Sequence, residues 1–254
     1  MKKVMPCVVA FLLACSLSAQ AAQKREQSYR IGADVDATGH VTATQLDPDV
    51  PASIAPVLVS AVKQWQFVPA SRNGQAVSAH TFIYTKFQAL PDAKGRYSLR
   101  ISFEGNGPKM EYRNIRPQYP RNGVRLEESA FVKLTATVQP DGTLADMDVG
   151  SQFDNWPVPS YFKDAVLACA KKWHGVPEQV GGQPVATRVS ITVNFTSPNF
   201  RLTSAQVRIL REALRKEAAD DGASPSDVPM PSEQEVALNS PLQPRIVATI
   251  VNAP

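Results

Sequence analysis

Residues 131–142 have the sequence Phe-Val-Lys-Leu-Thr-Ala-Thr-Val-Gln-Pro-Asp-Gly, which combines a strand pattern with a turn. Every second residue from Val132 to Val138 is apolar, and the residues between them are polar. This period of two is typical of a half-buried strand. The dipeptide Asp141-Gly142 follows, and Asp-Gly is a strong hairpin signal. The segment therefore predicts a strand, a tight turn and a second strand.

The next periodic segment has helical spacing. Apolar residues from Phe162 to Trp173 recur at steps of 4, 3, 1 and 3, which places them on one face of an α-helix. Gly181-Gly182 then predicts a turn before a last strand at about Val185 to Phe195. We expect a unit in which one helix covers one face of a three-stranded antiparallel sheet.

A similar pattern occurs earlier in the chain. Trp65 precedes Trp173 by 108 residues, and the matching helical stripes end at these two residues. The turn at Gly39 precedes the turn at Gly142 by only 103 residues. Five extra residues are therefore expected in the second copy, and we place them at 154–157 because loops tolerate insertions.

The predicted fold class is α+β, with two small modules, each a three-stranded antiparallel sheet with one covering helix, plus a C-terminal helix and a tail. The modules are expected at 28–104 and 116–197. A helix is expected at 203–221, followed by a Pro-rich linker and tail at 222–254. Within the tail, Arg245 to Val251 is β-prone and is a candidate edge strand.

Two further segments lie between the modules. Arg96 to Phe103 alternates between apolar and polar residues, which predicts another strand that extends the first sheet. Gly105-Asn106-Gly107 precedes a proline and is not followed by a phosphate-binding helix. We interpret these three residues as a turn.

The first 21 residues have the organisation of a signal peptide. Lys2-Lys3 precede a short apolar core, and Ala19-Gln20-Ala21 fits a small-x-small cleavage site. A second outcome also fits, because Leu12-Leu13-Ala14-Cys15 resembles a lipobox in which the leader ends at residue 14 and Cys15 is lipidated. Both outcomes place the protein beyond the inner membrane, in the periplasm of a Gram-negative type of cell.

Composition, charge and residue spacing give no support for nucleic-acid binding, metal binding or catalysis. The 254-residue chain carries a formal charge of +4, and two of its lysines belong to the leader, which is too weak a charge to predict nucleic-acid binding. His40, His80 and His174 have no ligand-like spacing, so we expect neither a metal site nor a cofactor. Cys169 has no recognisable base partner, and we interpret it as a small buried residue. We expect no enzymatic activity.

Residues 116–197 resemble the C-terminal domain of the TonB family. That family opens with Pro-x-Tyr-Pro, which is Pro117-Gln118-Tyr119-Pro120 in this chain. A basic helix-like stretch, an alternating strand, an Asp-Gly hairpin, a helix ending in tryptophan, a proline loop and a last strand follow in the family's order. The first copy lacks the Tyr-Pro opening and resembles a degenerate version of the domain.

The resemblance implies a function in binding proteins. TonB C-terminal domains bind a short receptor segment by adding it as a strand to a sheet edge. For this chain the implied partner is an outer-membrane receptor peptide or another periplasmic protein, bound at the edge of the last strand of the second module. Tyr119 and Pro120 fit either a rigid entry to the fold or part of a partner groove. The partner-binding residues implied by the resemblance are Arg116, Gln118, Tyr119, Pro120 and Arg121.

Two alternatives remain open at the level of sequence. The chain fits an energy transducer in which residues 4–19 stay as an inner-membrane anchor, although that segment is shorter than a spanning helix needs. It also fits a structural periplasmic or lipoprotein module without a coupling role. Membrane association would then come through the leader or through a lipid on Cys15.

Overall fold

The computed structural model describes residues 25–91, 97–112, 115–199, 203–221, 235–248 and 250–252. Both predictions for the leader, cleavage after Ala21 and lipidation at Cys15, lie outside these residues. Strands predominate and helices are few, so the predicted mixed fold with antiparallel sheets is confirmed. The predicted three-stranded sheets are wrong, because within the described residues the two main sheets have seven and four strands.

The first group of elements forms a sheet with β1 at its centre. Strand β1 pairs with β2 on one side and, along its full length, with β6 on the other. Helix α1 contributes Leu58, Ala61 and Val62 to the core beneath this sheet. The bounds are β1 Arg25–Val35, β2 Val41–Leu46, α1 Ala55–Val62, β3 Gln66–Val68, β4 Ala70–Arg72, β5 Gln75–Val77 and β6 Ala79–Pro91.

The second group repeats this order of elements after a short helix, α2, at Arg121–Leu126. Strand β9 is central and pairs with β10 and β14, and helix α3 packs Phe162, Val166 and Ala170 into the core below. The bounds are β9 Ala130–Val138, β10 Leu144–Ser151, α3 Ser160–Ala170, β11 His174–Val176, β12 Gln179–Val180, β13 Gln183–Pro184 and β14 Thr187–Phe195.

The remaining elements connect the two groups. The additional strand predicted near Arg96 to Phe103 is confirmed as β7, which pairs antiparallel with β6. The interpretation of Gly105-Asn106-Gly107 as a turn is wrong, because these residues complete β7 and Asn106 is buried. The bounds are β7 Tyr97–Gly107, β8 Lys109–Glu111, α4 Ser204–Asp221, β15 Glu235–Ala237, β16 Gln243–Ile246 and β17 Ile250–Asn252.

Each group donates a short strand to the other. Strand β8 follows the first group but pairs with β11 of the second, and β16 follows the second group but pairs with β3 of the first. The β12–β13 hairpin of the second group also extends the first sheet, since β12 pairs with the start of β6. We call this arrangement the reciprocal strand exchange.

The two tryptophans predicted to be core residues are buried, with 1% of Trp65 and 5% of Trp173 exposed. The indole N–H of Trp65 donates to the carbonyl of Ala248 at 3.0 Å, and that of Trp173 donates to the carbonyl of Ile115 at 2.8 Å. Each indole thus anchors a segment that comes from outside its own helix and sheet. The prediction of buried tryptophans is confirmed.

The predicted insertion at 154–157 is wrong. The loop between β2 and α1 and the loop between β10 and α3 have the same length, at 47–54 and 152–159. The extra residues instead lengthen β10 relative to β2 and α3 relative to α1. Hairpin irregularities, one near Asp34 and one between Ala145 and Asp148, absorb local differences in register.

Helix α4 covers part of the opposite face of the second sheet. Its side chain Leu210 is buried against Phe131 of β9 and Trp156 of the loop before α3. The rings of Phe131 and Trp156 meet edge to face with centroids 5.0 Å apart. Both faces of the second sheet therefore carry apolar packing.

Candidate functional site

The candidate site is centred on β14, the last strand of the second sheet. One edge of β14 pairs with β9 from Thr187 to Phe195. Its alternate residues from Val189 to Phe195 point into the core shared with α3. The opposite edge is the one that a TonB-like mechanism would offer to an extended partner.

That opposite edge is already paired over its central residues. Strand β15 runs antiparallel to β14 and matches Glu235–Ala237 with Val189–Ile191. The edge at which the resemblance places the partner is therefore occupied at Val189–Ile191. The occupying strand comes from the region predicted as linker and tail, whereas the Arg245 to Val251 segment docks on the first group through β16 and β17.

The carboxylate of Glu235 anchors β15. It accepts hydrogen bonds from the Tyr84 hydroxyl at 2.5 Å, the Tyr112 hydroxyl at 2.7 Å and the backbone N–H of Met110 at 3.2 Å. The charge of Arg30 also acts on this carboxylate. Burial and the neighbouring Glu235 charge raise the pKa of Tyr84 well above its ordinary value, so Tyr84 stays a neutral donor.

The side chain of Tyr119 packs inside the second group. Its ring lies edge to face with Phe162 and Phe195, with centroids 5.7 Å away in both cases, and its hydroxyl donates to the carbonyl of Glu128. A methyl group on Gly123 would approach the same ring to 2.9 Å. These contacts favour the interpretation of Tyr119 as a rigid entry to the fold.

The other predicted partner-binding residues lie at or near the surface. Arg116, Gln118 and Arg121 are exposed, and Arg121 is the first residue of α2. Pro120 is half-buried and precedes α2 in an extended conformation. The structure thus places the charged members of the predicted set at the surface, whereas the Tyr119 ring packs against Phe162 and Phe195.

A cleft of about 240 Å³ connects part of this set to β14. It brings Arg116 together with the middle of β14 and with Glu235 of β15. Gln118, Tyr119, Pro120 and Arg121 do not line it. The lining residues are Tyr112, Ile115, Arg116, Pro117, Trp173, Ile191, Thr192, Val193 and Glu235.

A buried carboxylate that the sequence did not reveal lies where the two groups meet. Glu178 is 0% exposed, and its side chain accepts hydrogen bonds from Thr81 at 2.6 Å, Ser240 at 2.7 Å and Thr187 at 2.8 Å. Asn106 donates in turn to Ser240 and to the carbonyl of Leu242. This cluster joins β6, β7, β14 and the tail, so it fixes the segment that leads away from β15.

We expect the Glu178 cluster to make stability depend on pH. Burial raises the pKa of Glu178 above its ordinary value, since desolvation outweighs the hydroxyl donors. Its contribution to stability is therefore fully present below the unfolded pKa and is lost as pH rises through the folded pKa. The substitution Glu178→Gln mimics the protonated form, so the free energy of unfolding of the variant should rise relative to the parent as the pH rises above about 4, the ordinary carboxyl range.

Urea denaturation across that pH range measures the difference. The exposed carboxylate of Glu212 on α4 provides the matched control, because Glu212→Gln removes the same charge outside the cluster. A parent and a Glu178→Gln variant whose stabilities stayed parallel over the range would contradict the expected titration of Glu178.

The described residues give no indication of a metal site or a membrane span. No group of three or more His, Cys, Asp or Glu side chains lies close enough to hold a metal ion within the described ranges. Among the same residues, no helix combines the length and apolar character needed to cross a membrane. Cys169 is buried as predicted, and burial raises the pKa of its thiol.

The candidate site consists of a small antiparallel sheet, one backing helix and a last strand, β14, whose outer edge pairs with β15. Residues 115–197 match the family model described as the Gram-negative bacterial TonB protein C-terminal. This match confirms the resemblance of the segment to that family, which was inferred from the Pro-x-Tyr-Pro motif and the elements after it. No significant match was found among curated proteins or among solved structures.

Proposed function

We propose that this is a periplasmic, non-enzymatic protein that binds partner proteins through its TonB C-terminal domain, in connection with outer-membrane transport. The observation that carries the proposal is the family match at residues 115–197, together with a last strand, β14, whose outer edge accepts an antiparallel strand. Main-chain pairing at such an edge is a general way to bind extended peptides.

We further propose that the first group of elements is a degenerate copy of the same domain. The supporting observation is the shared order of elements, in which a hairpin, a helix, a short strand, a small hairpin and a long strand follow one another in both groups. The first group differs at its outer edge, because β6 pairs with the long strand β7 there. The second group is therefore the better candidate for binding.

The exposed cations near the Pro-x-Tyr-Pro segment are the proposed contacts to the partner. Arg116 borders the cleft beside β14, and Arg121 is exposed at the start of α2. Guanidinium groups pair well with carboxylates. An acidic or carboxylate-bearing receptor peptide is therefore the partner that these side chains favour.

We expect the double substitution Arg116→Glu/Arg121→Glu to weaken binding of such a peptide roughly tenfold or more, since both charges would then repel it. The measurement is an NMR titration of the exported chain with the periplasm-facing segments of outer-membrane receptors. Lys63→Glu/Arg208→Glu is the control, because it changes the net charge equally at exposed positions elsewhere. Failure of every receptor segment to bind the parent protein would refute the coupling role.

A structural role without coupling is the second candidate. It is favoured by one observation, the pairing of β15 with the edge of β14 that a partner would use. In that case the parent protein would give no titration shifts, and replacements at Arg116 and Arg121 would leave the cell's transport unchanged.

A further inference from the structure

We propose that β15 is an internal ligand of β14, and that the partner replacing it carries an acidic residue followed, two positions later, by a small one. This inference rests on the proposed function and deepens it, because it states the chemistry of the segment that the edge of β14 accepts. It is drawn from how the side chains of Glu235 and Ala237 fit their surroundings.

The backbone of β15 makes the contacts expected of an added strand. It pairs with Val189–Ile191 in antiparallel register, and the N–H of Leu238 donates to the carbonyl of Arg188 at 2.7 Å. The side-chain oxygen of Asn239 accepts from the N–H of Arg188. Main-chain bonds of this kind supply affinity for an extended segment but select no sequence.

The position of Glu235 selects an acidic side chain. Three donors converge on its carboxylate: two phenol hydroxyls, of Tyr84 and Tyr112, and the N–H of Met110. An apolar residue here would remove this shared acceptor, and the Tyr84 hydroxyl would keep only the carbonyl of Pro108 at 2.8 Å. An amide would lose the charge-assisted bonds. The donors to Glu235 come from different strands, because Tyr84 belongs to β6 and Met110 to β8.

The position of Ala237 selects a small side chain. A methyl group built on Gly107 of β7 would lie 2.6 Å from the Cβ of Ala237, so the two backbones approach closely at this point. A larger side chain in place of Ala237 would have to displace β7. Val236, which lies between the two selected positions, is 41% exposed and sets no comparable limit.

The pairing of β15 is separable from the docking of the rest of the tail. Among the described residues, three residues of β15 pair with β14. The segment after it is held independently, by Ser240 in the Glu178 cluster, by the buried Leu242 and by the pairing of β16 with β3. Leu238, next to β15, remains 54% exposed. An incoming strand can therefore replace β15 while Ser240 and the residues beyond it stay in place.

The test uses a fluorescent peptide with the chain's own sequence at 232–239, Ser-Glu-Gln-Glu-Val-Ala-Leu-Asn, and the whole exported protein. Glu235→Gln in the protein weakens the internal strand, so this variant should bind the peptide at least tenfold more tightly than the parent does. Glu212→Gln on α4 is the control and should bind like the parent. Peptides with glutamine at the position of Glu235, or leucine at the position of Ala237, should bind the variant roughly ten- to hundredfold more weakly.

A disulfide supplies a second test within one polypeptide. Ser190 and Val236 are directly opposite partners across β14 and β15, where cross-strand cysteines meet the distance for a disulfide. In a Cys169→Ala background, Ser190→Cys/Val236→Cys should bind the peptide when reduced and lose at least tenfold in affinity when oxidised. Circular dichroism of the oxidised form checks that the fold is retained.

Equal binding in the reduced and oxidised states, equal binding of the three peptides, or no binding by Glu235→Gln would each overturn the inference. The proposed function fails separately. If receptor segments bind the oxidised, locked protein as well as the reduced one, partner binding stands and the role of β15 does not. If the peptide binds as expected but no receptor segment does, the inference about β15 stands and the coupling role does not.

Discussion

Replacing Trp65 with alanine is expected to lower the free energy of unfolding by roughly 3–5 kcal/mol. The side chain is 1% exposed, its ring meets Phe103 edge to face at 5.6 Å, and its N–H donates to the carbonyl of Ala248. The substitution removes the large buried side chain that lies between the end of α1 and the start of β3, and it leaves a cavity between helix, sheet and tail. Urea denaturation followed by circular dichroism measures the loss.

Two further variants show what the indole contributes. Trp65→Phe keeps an aromatic ring but leaves the Ala248 carbonyl without its donor, so the loss should be smaller, and it reports on anchoring of the tail. Trp173→Ala should cost a similar amount as Trp65→Ala, because Trp173 is also buried and bonded, to Ile115. A Trp65→Ala protein as stable as the parent would show that the packing of α1 described above is wrong.

Replacing Gly39 with alanine is expected to cost about 2–5 kcal/mol, the second large effect. Gly39 has a φ of +90°, a conformation that side chains rarely adopt. A Cβ at this position would also lie 1.9 Å from the carbonyl oxygen of Phe67, a backbone atom that cannot rotate away. The hairpin between β1 and β2 would have to separate from β3, which would break the hydrogen bond that the N–H of Phe67 donates to the Gly39 carbonyl.

Gly74 provides the matched control for this prediction. It has a similar φ of +78°, but no atom lies within 4 Å of the position its Cβ would take. Gly74→Ala should therefore cost only the conformational penalty, about 1–2 kcal/mol. Thermal and urea unfolding of both variants separate the two contributions, and equal losses would contradict the close approach between Gly39 and Phe67.

The regular elements of this protein could be predicted because their patterns are local. The alternation from Val132 to Val138 identified β9, and the stripe of apolar residues ending at Trp173 identified α3. The buried side chains of α1, Leu58, Ala61 and Val62, lie on the stripe predicted for the first helix. In each case neighbouring residues in the sequence share a face, so periodicity was sufficient.

The contacts that close the candidate site could not be predicted in this way. Strand β15 has three residues, too few to establish a period, and its partner β14 lies more than 40 residues earlier. Glu178 becomes a buried acceptor only because hydroxyl groups arrive from Thr81, 97 residues away, and from Ser240. Gly105-Asn106-Gly107 resembles a turn in sequence because glycine is uncommon inside strands. These residues form a strand because they pair with β6 and because Asn106 donates to the carbonyl of Leu242 in the tail.

The reciprocal strand exchange has a consequence for how the chain folds. Because β8 completes the second group and β16 completes the first, neither group finds all of its strand partners within its own stretch of sequence. The native contacts therefore connect distant parts of the chain. Since neither sheet is complete until the other group supplies its strand, we expect slow folding. Loss of one sheet withdraws a strand from the other, so the described protein should unfold in a single cooperative transition, and a polypeptide limited to 115–197 should be much less stable than the same residues in the whole chain.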